Sequence, residues 1–173
     1  QPEKDSYLLS ESVKKSIKNK KIRCLDLGTG SGIQSKTLLE LGIKKENILA
    51  SDINEKALKE AEKLNIRSIK SNLFSNIKEK FDLIIFNPPY LPEHKFDKKP
   101  DTTGGKKGDE VILKFIDQLK NHLNKDGKTL LLTSSYTPNK PWKNLAKKKD
   151  LKVKKIASKG IFFEKLYVWE IKR

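Results

Sequence analysis

Hydrophobic residues along this chain fall into short continuous runs, and the stretches between them carry apolar residues at helical spacing. Leu9, Val13 and Ile17 recur every fourth residue and predict an N-terminal helix, with Asp5 or Ser6 as its capping candidate. IRCLDLG (22–28) reads as a buried strand, and SGIQSKTLLELG (31–42) as a helix stopped by Gly42. NILASD (47–52) is a second strand. NEKALKEAEKL (54–64) is a second amphipathic helix, with Ala57, Leu58, Ala61 and Leu64 on one side. IRSIKS (66–71) is shorter and half polar, which suits an edge strand, and FDLIIF (81–86) is a fourth, buried strand.

Residues 91–107 show no period and read as a long polar loop. DEVILKFIDQLKNHL (109–123) follows as a helix, and GKTLLLTSS (127–135) as a strand opening after an Asp126-Gly127 turn. A lysine-rich helical stretch after Trp142 leads to LKVKKIAS (151–158) and FFEKLYVWEI (162–171), two strands close enough to pair antiparallel. Alternation of helices with continuous apolar strands predicts an α/β fold with a mainly parallel sheet covered on both faces, ending in an antiparallel edge. Length and the lack of linkers or repeats suggest one domain over 1–173, with the first twenty residues as a capping helix.

Composition narrows the setting. No apolar run approaches the ~20 residues of a membrane-spanning helix. The first residues, QPEKDSYLLSESVKKSIKNKK, are too polar for a signal peptide, so a cytoplasmic protein with no membrane partner is expected. The single cysteine, Cys24, lies inside the first buried strand and reads as a small core residue in a reducing compartment. A formal net charge of +16 comes almost wholly from lysine, with arginine only at positions 23, 67 and 173. Aromatic residues do not interleave with these lysines as stacking platforms would. The charge therefore implies weak, salt-sensitive association with RNA or the ribosome and selects no function.

Chemistry concentrates where strands end. LDLGTGSG (25–32) joins the first strand to its helix, the position at which doubly wound sheets bind ligands. Gly28, Gly30 and Gly32, with Thr29 and Ser31 between them, form a loop that a ligand can approach closely. Ile33 breaks the dinucleotide pattern G-x-G-x-x-G, and no P-loop ending is present. Asp26 puts a carboxylate beside this loop, unfavourable for pyrophosphate and favourable for an ammonium or sulfonium group. Asp52 closes the second strand, where it can accept hydrogen bonds from ribose hydroxyls; Asn54 is the better cap for the next helix. After the third strand, Asn72 can bond an adenine edge and Leu73 can pack its face. An adenosine bearing positive charge and no phosphate meets all these requirements, and S-adenosylmethionine is such a molecule.

The fourth strand ends in Asn87-Pro88-Pro89-Tyr90. Two prolines remove backbone donors and stiffen the loop. Its acceptors, the Asn87 side-chain oxygen and the Pro88 carbonyl, can hold both N–H bonds of a planar NH2 group, with Tyr90 stacking on its face. Orientation of this kind can supply ~7 kcal/mol or more of a barrier. Carboxamides and adenine amino groups both qualify as acceptors of a methyl group. One cysteine with His94 and His122 cannot form a zinc site of usual spacing, so no metal is expected.

LDLGTGSG, Asp52, SNLF (71–74) and NPPY, in this order and at these separations, resemble the HemK-type protein glutamine methyltransferases over nearly the whole chain. The resemblance implies the class I methyltransferase fold, Rossmann-like with seven strands, and S-adenosylmethionine as cofactor. It also implies methylation of the glutamine side chain in the Gly-Gly-Gln motif of class-1 translation release factors. Only some two dozen residues precede the glycine loop, and PEKDSYLL (2–9) and GGKKG (104–108) are similar to the short archaeal and eukaryotic branch. That branch opens P-x-E-D-[ST]; here Lys4 replaces the acid while Asp5 and Ser6 match, which makes Ser6 a cofactor-contact candidate. The eukaryotic members pair with a small zinc-binding activator protein alongside the sheet edge, which would place such a partner on IRSIKS. Adenine in RNA or DNA, and protein lysine, are the alternative acceptors.

Overall fold

The structure is a computed structural model, and it describes residues 4–89 and 108–173. Seven strands form one sheet in the order β3-β2-β1-β4-β5-β7-β6. These are β1 (Cys24–Leu27), β2 (Ile48–Asp52), β3 (Arg67–Lys70), β4 (Phe81–Phe86), β5 (Leu123–Ser134), β6 (Lys152–Ile161) and β7 (Glu164–Lys172). Strands β1 to β5 run parallel to one another, while β7 pairs antiparallel with both β5 and β6. The half-polar third strand lies at one edge, as its sequence indicates. Strand order reverses between β1 and β4, so the ligand crevice of such a sheet falls at their carboxyl ends.

Side chains of the parallel strands alternate between two cores. Leu25, Leu27, Leu49, Ile84, Phe86 and Leu131 face α4 (Glu110–His122) and α5 (Asn139–Lys148), where Phe115, Ile116 and Trp142 fill the layer. Cys24, Ile48, Ala50, Leu83, Ile85 and Leu130 face the other way. They meet Leu9 and Val13 of α1 (Lys4–Ser16), Leu38 of α2 (Ile33–Glu40) and Ala61 of α3 (Glu55–Lys63). Cys24 is fully buried there, and burial pushes its thiol up to about 12, consistent with an inert core residue.

Several boundaries differ from the sequence reading. Asp5 and Ser6 do not cap α1 but lie in its first turn, because the helix already includes Lys4. Strand β5 starts at Leu123, directly after α4, and Asp126-Gly127 sits in a bulge within it rather than before it. Gly127 is needed at that bulge: a Cβ would stand 2.8 Å from the carbonyl oxygen of Phe81 on β4. Helix α5 begins at Asn139 and includes Trp142, which is fully buried. Phe162 and Phe163 form the two-residue turn between β6 and β7 instead of opening β7, and both rings are exposed. His122, the last residue of α4, is half-buried. It stacks on Phe74 with ring centroids 4.1 Å apart, and its ring nitrogens face the carbonyls of Ile77 and Gln118.

Candidate active site

Register alone draws the predicted residues together. Leu27 pairs with Ser51 on one side and Phe86 on the other, so Gly28, Asp52 and Asn87 leave the sheet side by side. Asp52 pairs with Lys70, which brings Ser71, Asn72 and Leu73 out at the same edge. Each of these positions follows the last residue of a parallel strand, or is that residue, and continuous apolar strands fix all of them in one row.

The glycine loop is held from below and open above. Gly28, Gly30 and Gly32 all have positive φ, at 68°, 51° and 74°. Ordinary side chains resist this conformation, and it lets the chain turn three times between β1 and α2. The N–H groups of Gly28 and Thr29 both donate to the Ser51 carbonyl, at 2.8 and 2.9 Å. Gly28, Gly30 and Ser31 are exposed, whereas Thr29 and Gly32 are buried.

Asp26 is buried, and one of its oxygens, Oδ2, accepts three bonds: from Thr29 Oγ1 (2.7 Å), Ser35 N (3.0 Å) and Ser35 Oγ (2.6 Å). Burial pushes this carboxyl above its ordinary range, the bonds from Ser35 and Thr29 oppose the rise, and the charge of Asp52 adds to it. A cation beside the loop would relieve the same strain. Ser35 is the partner that sequence reasoning missed. Asp52 is not left free, as the assignment of the cap to Asn54 had suggested: Oδ2 accepts from Gly30 N at 3.0 Å and Oδ1 from Asn54 N at 2.9 Å. The cap itself is as expected, since Asn54 Oδ1 accepts from Lys56 N. Both Asp52 oxygens keep a second lone pair, so the carboxylate is braced against the loop and can still accept hydroxyl donors. Asn72 is exposed, and Leu73 takes a positive φ of 50° in the turn after β3.

Asn87 gives the site its distinctive feature. Its Nδ2 donates to Asp5 Oδ2 at 3.1 Å, while its Oδ1 is buried and has no hydrogen-bond partner among the described residues. Pro88 is buried behind it and Pro89 half-buried. Ser6 belongs to the same corner through α1: its backbone carbonyl accepts from Gln34 Nε2 at 2.9 Å, and Gln34 Oε1 accepts from Ser10 Oγ at 3.1 Å. This buried polar tie between α1 and α2 was not foreseen from sequence, because nothing local distinguishes Gln34 from a surface glutamine. Tyr90, the loop 91–107, His94, Gly104 and Gly105 lie outside the described residues.

An open glycine loop, two carboxylates and a buried acceptor with no partner among the described residues stand together at neighbouring strand ends. Comparison with known proteins supplies the family. The methyltransferase small domain family matches residues 2–162. The chain belongs to that family. A Methanocaldococcus jannaschii protein, provisionally named a protein N5-glutamine methyltransferase, is 38% identical over 180 residues, spanning 97% of this chain and 88% of that relative. The chain thus groups with the protein N5-glutamine methyltransferases, the family its motifs resemble. A Lactococcus lactis release factor glutamine methyltransferase is 32% identical over 142 residues, covering 72% of this chain and 50% of that longer protein. In fold, the chain is similar to a chain of an E. cuniculi Mtq2–Trm112 complex described as responsible for methylation of the eRF1 termination factor. The TM-score is 0.83 at 24% identity, with 100% of this chain and 97% of that one covered. The seven-stranded class I methyltransferase fold is therefore shared. Among the described residues, no helix is long and apolar enough to cross a membrane.

Proposed function

We propose that this methyltransferase transfers a methyl group from S-adenosylmethionine to the side-chain amide of the glutamine in the Gly-Gly-Gln motif of a class-1 translation release factor. The observation that carries the reading is Asn87 Oδ1, a buried acceptor without a donor among the described residues, at the strand end adjoining the glycine loop. A buried polar atom left unpaired costs ~1–3 kcal/mol, and an incoming N–H would recover that.

The residues fit the cofactor. Gly28, Thr29, Gly30, Ser31 and Gly32 would cradle it, Asp26 and Ser6 would face its charged amino-acid end, and Asp52 would accept from its ribose. Asn72 and Leu73 would border its adenine. The cofactor supplies an electrophilic methyl group on a sulfonium. Everything else falls to the protein. Asn87 Oδ1 and the Pro88 carbonyl would hold the two N–H bonds of the glutamine amide. The amide nitrogen would thereby be oriented for attack on an electrophilic methyl group, and the two acceptors would stabilise the positive charge that builds on its N–H bonds until one proton passes to solvent. A carboxylate would be repelled by such a pair of acceptors, so glutamate is excluded as a substrate.

Support for a small zinc-binding activator partner comes from the edge of β3, where backbone groups have no neighbouring strand among the described residues. Ile53, just past the end of β2, is also exposed. Mass spectrometry of a Gly-Gly-Gln release factor incubated with the chain, S-adenosylmethionine and such a partner tests the proposal. Gain of one methyl group on the glutamine is expected. An unmodified factor, under conditions where the cofactor binds, would overturn it. Labelled methyl appearing in RNA or DNA instead would assign the site to an adenine amino group, an acceptor that the net charge of +16 would help attract.

A further inference from the structure

An amide side chain has two ends of nearly equal size, and packing alone cannot decide which faces a substrate. We infer that Asp5 is the positioning residue that decides it for Asn87, a role that rests on the amide-methylation reading above. A carboxylate can only accept, so the Asp5 Oδ2 contact at 3.1 Å selects Nδ2 and turns Oδ1 away from α1. Left to itself, the amide would relieve its unpaired Oδ1 by rotating about its last bond toward any donor. Asp5 holds the less comfortable orientation in place.

Its own position is secured twice. Asp5 Oδ1 accepts from Ser6 N at 2.6 Å and lies 3.3 Å from Ser6 Oγ. The helix that carries both residues is tied to α2 by the Gln34 bonds to the Ser6 carbonyl and to Ser10, with Thr37 Oγ1 donating to Ser10 Oγ at 3.2 Å. A residue 82 positions earlier in the chain thereby controls the polarity of the acceptor loop. Ser6, the candidate cofactor contact, is the neighbour that fixes the same carboxylate. The cofactor side and the acceptor side of the site are thus joined through one acid.

Asp5→Asn inverts the device with almost no change in shape. Asn at position 5 keeps an oxygen for Ser6 N–H and presents NH2 to Asn87, which then turns its own oxygen inward and offers the substrate a donor instead of an acceptor. Loss of about 100-fold in kcat is expected, with KM and the dissociation constant for S-adenosylmethionine within about threefold of the parent. Asn87→Asp alone sets two carboxylates face to face. The double variant Asp5→Asn/Asn87→Asp restores a donor opposite an acceptor and leaves the second oxygen of residue 87 toward the substrate. It should recover at least about tenfold in kcat over Asp5→Asn. An Asp5→Asn protein that keeps its kcat, that loses cofactor affinity in step with kcat, or that gains nothing from the second substitution overturns the inference. A readout independent of the methyl acceptor is the side-chain amide resonance of Asn87. It should sit downfield in the parent, bonded to a carboxylate, and move in Asp5→Asn; an unmoved resonance refutes the orientation even if the release factor proves not to be the substrate. An inactive parent with a displaced resonance would discard the substrate and retain the positioning role.

Discussion

Replacing Asn87 by alanine separates what this side chain does for the fold from what it does for the reaction. In the ligand-free protein the amide contributes one charge-assisted bond, Nδ2 to Asp5, and one deficit, the buried Oδ1. A hydrogen bond to a charged group is worth ~1.5–3 kcal/mol, and an unsatisfied buried acceptor costs ~1–3 kcal/mol. Deleting both leaves a net change within about 1 kcal/mol of zero. For a chain of this length that moves Tm by no more than about 4 °C. Turnover responds on another scale, since removing one preorganised hydrogen-bonding group from a reacting centre costs about 10²–10³ in kcat. Thermal and urea unfolding, run beside single-turnover methyl transfer, measure the two effects on the same preparation. A fall in Tm of about 10 °C would mean that Oδ1 is satisfied in the native state, and the reasoning from the orphaned acceptor would fail. Unchanged turnover would remove Asn87 from the reaction.

Asp26→Asn should raise the stability of the ligand-free protein at pH 7 while abolishing S-adenosylmethionine binding. The folded-state pKa of Asp26 lies above its ordinary 3.8, so its contribution to stability is complete below that value and is lost as pH rises through the folded value. Asparagine keeps an acceptor for Ser35 and Thr29 without this loss. Urea unfolding should therefore show an advantage that grows from pH 4 to pH 7, and an advantage independent of pH would contradict the assignment. Gly127→Ala drives a Cβ to 2.8 Å from the Phe81 carbonyl and 3.0 Å from that of Asn124, both backbone. Denaturation should show a loss of about 1–3 kcal/mol. A neutral result would mean that the bulge in β5 can move.

Sheet, helices and the gathering of the candidate residues at neighbouring strand ends were legible because periodicity and punctuation are local signals. Continuous apolar runs made β1, β2 and β4 readable as buried parallel strands, and the carboxyl end of a parallel strand is a binding position whatever its neighbours are. Gly28, Asp52, Asn72 and Asn87 could thus be placed in one crevice from their positions in the chain alone. The misreadings share a cause. Asp126-Gly127 has the composition of a turn, yet the glycine answers to a carbonyl on β4 more than forty residues away. His122 does end α4, but nothing in its neighbourhood along the chain shows that Phe74 packs against it. Phe162 and Phe163 have the composition of a strand, but β6 and β7 pair Ile161 with Glu164 and leave only those two residues for the turn. Contacts distant in sequence decide each of these, and no window along the chain contains both partners.

Asp5 shows how far that limit extends into the chemistry. As a sequence position it reads as a helix cap; as a structural one it faces Asn87 across the crevice. Local rules for a stable fold are broken here by a buried carboxylate at Asp26 and by an acceptor at Asn87 unpaired among the described residues, both at carboxyl ends of adjoining strands. Two such costs in one place are not what selection for stability alone would leave, and each is answered by one half of the same reaction. A positive ligand offsets the first, and an amide with two hydrogens to give offsets the second. On the proposed reading, binding both at once would bring the electrophile and the nucleophile to neighbouring strand ends. Relieving the cost at Asp26 should then give a sturdier protein and a poorer catalyst, whereas Asn87→Ala, which gives up the bond to Asp5 together with the unpaired oxygen, should lose turnover at nearly unchanged stability.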